Sequence, residues 1–563
     1  MSLVEPTSRI DQERPAGEVF TRRWIVEMML DLAGYTVDVD LASMRAVEPA
    51  CGAGAFLRPM VERLSNSCRS HGRPITDARQ ALVALDLDLN NVNQSRRVVH
   101  DTLVDGGWTP RDASSLARTW VMHADYLLEG PPRLTLVDEG ITDGADFVIG
   151  NPPYIRPEDV PNDLYQAYRS SWPTMTGRAD VYVGFFEAGL RSLRPGGVLT
   201  FICADRWMRN QYGRELRSLI SGGYAMQALI TMHDVDAFET PVSAYPAITV
   251  IRRGAQADVA IADATADFAE DDGRQLVTWA LGNRHHIKAA SFEGTRLGHW
   301  FAGGESWPGG DPKTIEMVES LNTRFAPIED PGTGTKVGIG IATGNDRLFV
   351  TKDPDLVEHE RLLPLAVSAD GASGTLRWSG HFLVNPWEAD GSLVDLATYP
   401  RLRQYLELHG AELGRRHVAK RSAANWYRTI DKVSSPLTGT PKLLFPDMKM
   451  TIHPVLDSGT LYPHHNLYWI TSEKWDLEVL GGLLMSRVAE AFVSAYCVKM
   501  RGGTLRFQAQ YLRRIRVPRP DDISADDRAA LAAAFSARDA DAATEIAIRI
   551  YGVDEYRDVL RAS

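Results

Sequence analysis

Six short apolar runs punctuate the first half of the chain, and five of them end at a charged or turn-forming residue. They are Ala46-Val47 (behind Met44-Arg45), Ala81 to Leu85, Trp120 to Ala124, Phe147 to Ile149, Val198 to Ile202 and Ala247 to Ile251. Short runs bounded in this way predict buried strands. The segments between them, such as Leu57 to Cys68, carry the wider spacing of a helix face. Strands alternating with helices predict an α/β, Rossmann-like unit with a largely parallel, doubly wound sheet, expected over residues 1–254. The last of the six runs is expected to close the sheet. Residues 255–312, rich in Ala and Asp and then in Gly, lose the rhythm and predict a connecting region. Shorter strand-like segments with many aromatics predict a second, mixed α+β body over 313–520. The alanine-rich stretch within 521–563 predicts a helical tail. No run is long enough to span a bilayer, and Met1 to Arg14 is too polar for a signal peptide.

In a doubly wound sheet, ligands bind outside the carboxyl ends of the strands. Those ends carry the candidate chemistry. Asn151-Pro152-Pro153-Tyr154 follows the run at 147–149 directly. By chance this tetrapeptide arises in roughly one chain of this length in several hundred. An amino group on an aromatic ring is a poor nucleophile, because its lone pair is delocalised into the ring. Acceptors aimed at both N–H bonds draw that lone pair out. Asn151 offers a side-chain carbonyl. Pro152, with φ fixed and no N–H, presents a backbone carbonyl in a set direction. Tyr154 offers a flat face for an extruded base.

Glu48-Pro49-Ala50-Cys51-Gly52-Ala53-Gly54 follows the first run. Its glycines allow a sharp turn and close approach of backbone to a ligand. Leu57 occupies the place of the third glycine in a dinucleotide fingerprint, which argues against NAD and for a cofactor without a pyrophosphate. S-adenosylmethionine is one, with Glu48 facing its α-amino group. Asp86 ends the second run, positioned for the two ribose hydroxyls, and Asp88 is the substitute. Asp125 and Tyr126 follow the third, suited to the adenine amino group and ring. Singly, Asp86 and Asp125 read equally well as helix caps or turn formers. Convergence at four strand ends is what favours a site.

Composition alters this picture in two places. The four cysteines lie far apart and give neither zinc spacing nor a disulfide framework, so a reduced, cytoplasmic home and no metal are expected. The net charge of −12 looks wrong for a nucleic-acid partner. The cations are clustered, however: residues 401–450 hold ten Lys/Arg against four Asp/Glu, and Lys499 to Arg519 holds seven without an acid. Trp426, Tyr427, Phe507 and Tyr511 lie among them. Such clusters predict phosphate contacts better than overall pI does, although a solvated helix face is the plain alternative.

With these motifs in this order, the chain resembles the N6-adenine DNA methyltransferases of the gamma arrangement, in their TaqI-like branch. In that family the cofactor motifs precede Asn-Pro-Pro-Tyr and a target-recognition domain follows. The resemblance implies a class I S-adenosylmethionine-dependent methyltransferase domain, double-stranded DNA as substrate, and a flipped adenine held by Asn151, Pro152, Pro153 and Tyr154. It implies cofactor contacts from Glu48, Ala50, Gly52, Gly54, Asp86, Asp125, Tyr126 and Asn151. Gly17-Glu18-Val19-Phe20-Thr21 corresponds to the motif whose Thr touches the methionine carboxylate, but Arg22 stands where the family usually has Pro. A second aromatic that sandwiches the base corresponds to Phe238, with Tyr245 as the alternative. Val337 to Asp346, Lys442 to Asp447 and Gln508 to Leu512 resemble segments of the recognition domain.

Asn-Pro-Pro-Tyr also serves enzymes that methylate glutamine amides or structural RNA. Those enzymes tend to lack so large a second body. A non-catalytic reader would have no need of Asn151, Tyr154 or the glycine loop. The short stretch before Gly17 leaves no room for a fused nuclease, so any cleavage activity is expected in a separate partner, in a bacterial or archaeal cytoplasm.

Overall fold

The computed structural model describes residues 20–130, 144–240, 245–298, 301, 303–446, 448–449, 452–497, 505–506 and 509–562. Gly17, Glu18, Val19, Asp447, Lys499, Arg501, Phe507 and Gln508 lie outside the described residues. The chain forms two compact units, Met1–Pro312 and Lys313–Ser563.

The first unit is built on one sheet of ten strands: β1 (Ala46–Glu48), β2 (Leu82–Asp86), β3 (Val121–His123), β4 (Ala145–Gly150), β5 (Leu193–Ala204), β6 (Tyr224–Thr231), β7 (Pro246–Arg253), β8 (Val259–Ala264), β9 (His286–Lys288) and β10 (Phe292–Leu297). Their order is β3-β2-β1-β4-β5-β7-β6-β8-β10-β9. The first five strands pair in parallel, and β7 runs antiparallel between β5 and β6. The winding direction reverses between β1 and β4, which makes their carboxyl ends the switch point where such sheets bind ligands. Gly150 allows those ends to close up, since a Cβ there would lie 3.3 Å from Pro49 Cδ. Gly189, on the helix Tyr182–Ser192, lets that helix settle onto the sheet; a Cβ would meet Leu199 at 2.7 Å.

The sheet extends beyond the run at 247–251. β6 escapes the apolar pattern because Tyr224 to Thr231 mixes Gln227 and small residues among its apolar ones. Residues 255–312, expected as a connector, contribute β8, the helix Glu270–Leu281, β9 and β10 to the unit. Alanine has little intrinsic strand preference. Here parallel pairing with β6 and antiparallel pairing with β10 bury Val259 to Ala262, so tertiary context overrides propensity.

A four-stranded antiparallel sheet in the second unit runs in the order Lys336–Ile339, Leu467–Thr471, Lys442–Pro446, Val455–Asp457. A smaller mixed sheet joins Val350–Thr351, Phe382–Val384, Leu362–Ala366 and Tyr462–Pro463. The helices Ala525–Ala537 and Ala540–Tyr551 are part of this unit's core rather than a separate tail: Leu531, Phe535 and Ile548 pack in one cluster with Leu480, Leu483 and Phe492. Gly481 permits that approach, as a Cβ there would meet the Phe535 ring at 2.5 Å. Among the described residues no single helix is long and apolar enough to cross a membrane.

Several cations of the basic clusters serve this scaffold. Arg416 donates to the carbonyls of Thr343, Trp426 and Arg428, and Arg513 donates to that of Val337. Lys442 is fully buried against Asp457 at 2.6 Å. Arg415 and Lys420 remain exposed.

Candidate active site

A cavity of about 690 Å³ opens at the carboxyl ends of β1, β2, β3 and β4. Its walls bring together Thr21, Glu48, Ala50, Gly52, Asp86, Asp125, Tyr126, Asn151 and Pro153. Gly54, Pro152, Tyr154 and Phe238 are not among the residues that line it.

The loop after β1 is held by backbone and carboxylate together. Cys51 N–H donates to the Leu85 carbonyl at 2.9 Å, and Ser95 Oγ donates to the Gly52 carbonyl at 2.8 Å. Gly52 N–H donates to Asp86 Oδ2 at 2.8 Å. Gly52 and Gly54 have φ of 50° and 92°, the left-handed region where a side chain is strained. Asp86 Oδ1 accepts from Asp88 N–H at 2.8 Å and from Asn91 Nδ2 at 3.3 Å. Asp86 therefore organises its own surroundings while its carboxylate stays at the cavity wall.

Glu48 is 1% exposed, and its Oε2 has no hydrogen-bond partner among the described residues. Burial, then the nearby Asp86 carboxylate, push its pKa well above the ordinary glutamate range. The same burial, with Glu48 and Asp86 close by, raises the Cys51 thiol. A buried acid with an unsatisfied oxygen at a cavity wall could hold a cationic donor group.

At the end of β3, Asp125 Oδ1 accepts from Leu127 N–H at 2.9 Å and Oδ2 accepts from the Tyr168 hydroxyl at 2.7 Å. Each carboxylate oxygen keeps a further lone pair. Tyr126 stacks on Phe185, with centroids 5.3 Å apart and planes at 27°, and both rings line the cavity. Asn91, Tyr168 and Phe185 were not singled out in the sequence. Tyr168 carries only a weak signal, sharing one helix face with the buried Tyr165.

Asn151 leaves β4 with its Nδ2 directed to Thr21 Oγ1 at 3.3 Å. The Tyr154 hydroxyl donates to the Ile202 carbonyl at 3.2 Å, tying the ring to the end of β5. Burial, then Cys203, push that hydroxyl's pKa well up. Phe238 meets Tyr154 edge to face, with centroids 6.5 Å apart and planes at 82°, so the two rings do not form parallel plates in this structure. Phe238 pairs through its backbone with Thr21, and Arg22 N–H donates to the Ala237 carbonyl at 3.0 Å. Arg22, the departure from the family pattern, forms an ion pair with Asp236 across this short ladder. Tyr245 packs instead on His233, with ring centroids 5.1 Å apart.

Residues 110–238 match the family model described as Eco57I restriction-modification methylase. The chain is 41% identical over 542 residues to the Type II methyltransferase M.PaeR7I of Pseudomonas aeruginosa, covering 95% of this chain and 92% of that protein. It is also 41% identical over 554 residues to M.XhoI of Xanthomonas vasicola, with coverage of 97% and 98%. M.BstVI of Geobacillus stearothermophilus is 37% identical over 525 residues, 92% of each chain. Among solved structures, the Type IIL restriction-modification enzyme MmeI in complex with DNA shares the fold, with a TM-score of 0.52 at 12% identity over 96% of this chain and 73% of that one.

Proposed function

The chain belongs to the Type II restriction-modification methyltransferases, and on that premise we propose that it methylates N6 of an adenine within a specific sequence of double-stranded DNA. The methyl donor is S-adenosyl-L-methionine, and the first unit is a class I methyltransferase. One observation carries the adenine reading: Asn151 and Pro153 line the same cavity as Glu48, Asp86 and Asp125. A planar-nitrogen motif and a set of carboxylates fit for a cofactor thus share one space. The order of the motifs, with the cofactor loop first, Asn-Pro-Pro-Tyr next and a second unit after, supports the gamma arrangement and the TaqI-like branch.

The chain's own residues fit that donor. The unpartnered buried Glu48 suits its ammonium group, Asp86 its ribose hydroxyls, and Asp125 with the Tyr126–Phe185 pair its adenine. Thr21, Ala50, Gly52 and Gly54 shape the loop side of the same site. When bound, S-adenosyl-L-methionine supplies an electrophilic methyl group. Asn151 Oδ1 and the Pro152 carbonyl accept hydrogen bonds from the target amino group, draw its lone pair out of the ring and stabilise the positive charge that grows on nitrogen. Tyr154, its ring tied through the hydroxyl to Ile202, stacks on the flipped base and offsets part of the few kcal/mol lost on unstacking it. Phe238 stands edge-on to Tyr154 in this structure, so it would close the other side only once its ring turns. The second unit reads the sequence, and a separate restriction endonuclease is a candidate partner.

The test is expression in a host lacking adenine methylation, followed by sequencing that registers N6-methyladenine, with Asn151→Ala as control. One methylated motif, lost in the control, is expected. No methylated motif from a protein that still binds S-adenosyl-L-methionine would overturn the adenine-DNA reading in favour of an RNA or amide substrate.

A further inference from the structure

The sequence, with its scattered cysteines, led to the expectation of no metal-ligand cluster. The second unit contains one. Asp346 and His464, 118 residues apart in the chain, meet at 3.1 Å between Oδ2 and Nε2. His465 Nδ1 lies 3.1 Å from His464 Nε2 and 3.9 Å from Asp346 Oδ2. All three ligand atoms fall within 4.8 Å of one another. A triangle with these sides has its centre about 2 Å from each corner, which is the ordinary reach of zinc to imidazole nitrogen and carboxylate oxygen, about 2.0–2.2 Å.

Two ring nitrogens facing each other beside a carboxylate are ill served by protons alone. With both histidines neutral, His464 Nε2 either donates to Asp346 or accepts from His465 Nδ1 and cannot do both, so one of the two contacts is left without a proton. A cation at the centre engages all three lone pairs together.

Asp346 and the backbone of the two histidines are also held from behind, whereas the buried His464 Nδ1 has no hydrogen-bond partner among the described residues. Asp346 Oδ1 accepts from Thr343 Oγ1 at 2.5 Å, the outer contact that a ligating carboxylate commonly keeps. His464 N–H donates to the Ala366 carbonyl and His465 N–H to that of Ile341, each at 3.0 Å. The His464 side chain is 8% exposed, while those of Asp346 and His465 are 46% and 47% exposed, so one side is rigid and the other is open to solvent for metal entry and for water as a fourth ligand. Two imidazoles with one carboxylate suit zinc rather than magnesium or calcium, which prefer all-oxygen sites.

We propose that Asp346, His464 and His465 form a zinc site that clips the segment 340–346 to the turn at 464–466 within the second unit. This site is independent of the methyl-transfer reading.

The test uses the full-length protein, stripped with chelator and dialysed, and titrated with Co²⁺ and then Zn²⁺ alone. The expected result is one Zn²⁺ per chain displacing Co²⁺ from a d–d-absorbing site, together with a zinc-dependent rise in thermal midpoint. His465→Ala and Asp346→Asn, both half-exposed positions, should each lose that rise and weaken binding more than tenfold. Thr343→Val, which removes the outer contact, should weaken it about 10- to 100-fold. His464 is left intact because its burial makes a folding defect the simplest outcome of replacing it. Wild-type protein that takes up no Zn²⁺ at about 100 μM would overturn the proposal. So would equal uptake by His465→Ala and Asp346→Asn, which would point to other histidines, such as the His285–His286 pair.

Discussion

Each unit buries an acid within its core, and the two are treated in opposite ways. Among the described residues Glu48, at the end of β1, has no cation beside it and one carboxylate oxygen without a partner, and burial pushes its pKa up. Asp457 in the second unit is equally hidden, but Lys442 Nζ lies 2.6 Å away and Thr460 and Leu461 donate to it from the backbone. Burial raises Asp457, yet the bond from Lys442 and those donors outweigh it and hold its pKa below the ordinary value. A buried ion that the fold itself satisfies is a structural element; one that the fold leaves unsatisfied at a cavity wall is waiting for a ligand. The same contrast separates the cations. Lys442 and Arg416 count toward a basic cluster in sequence but are consumed inside the second unit.

The largest expected effect tests the satisfied pair. Lys442→Ala strands Asp457 and should cost about 3–5 kcal/mol of stability in the second unit. Chemical denaturation should show that loss while isothermal titration finds cofactor affinity at the first unit unchanged. Replacing both partners with apolar residues, Lys442→Met with Asp457→Leu, should recover most of the stability, because no charge is left stranded. A double variant as unstable as the single one would mean that shape, not charge, makes the site.

The complementary change is Asn151→Ala, which should lower the methylation rate at least 100-fold, about 2.7 kcal/mol, with no loss of thermal stability. A rate within tenfold of wild type, measured by single-turnover methyl transfer, would remove Asn151 from the proposed chemistry. Tyr154→Ala should be milder, about 1–3 kcal/mol, seen as weaker capture of a DNA whose target base is already unpaired. Because its hydroxyl also ties it to Ile202, Tyr154→Phe separates the two contributions and should retain most of the binding.

The strand-end residues that share the first unit's cavity were legible because the signal of each is local. Glu48, Asp86, Asp125 and Asn151 each stand directly after an apolar run, and the rule that such sheets bind at strand ends does the assembly. What failed depends on distance or on weak composition. β8 is alanine-rich and becomes a strand only through its neighbours β6 and β10. Tyr168 reaches Asp125 across 43 residues, and nothing near either residue announces the other. The second unit is harder still. Its strand Lys336–Ile339 pairs with Leu467–Thr471, so the contact that brings Asp346 to His464 forms only after a loop of more than a hundred residues has closed. Periodicity, which reports local structure, is blind to such pairs.

The smallest effect is the sharpest test of the contrast, because it asks whether Glu48 is truly unsatisfied. Its folded pKa lies above the ordinary value of 4.5, so the folded protein keeps a proton that the unfolded chain has released. The stability that this proton confers is fully present below the unfolded pKa and is lost as pH rises through the folded one. Relative to Glu48→Gln, the wild-type protein without cofactor should therefore lose thermal midpoint as pH climbs above the usual carboxylate range; about 2–4 °C corresponds to each kcal/mol for a domain of roughly 150–250 residues. Saturating S-adenosyl-L-methionine should flatten that dependence, because its ammonium group favours the ionised acid that burial disfavours. Binding should then release a proton from wild type and none from Glu48→Gln, which calorimetry in buffers of different ionisation enthalpy measures directly. Equal proton release from both proteins would mean that Glu48 already finds its counter-charge within the fold, and the distinction between the two buried acids would collapse.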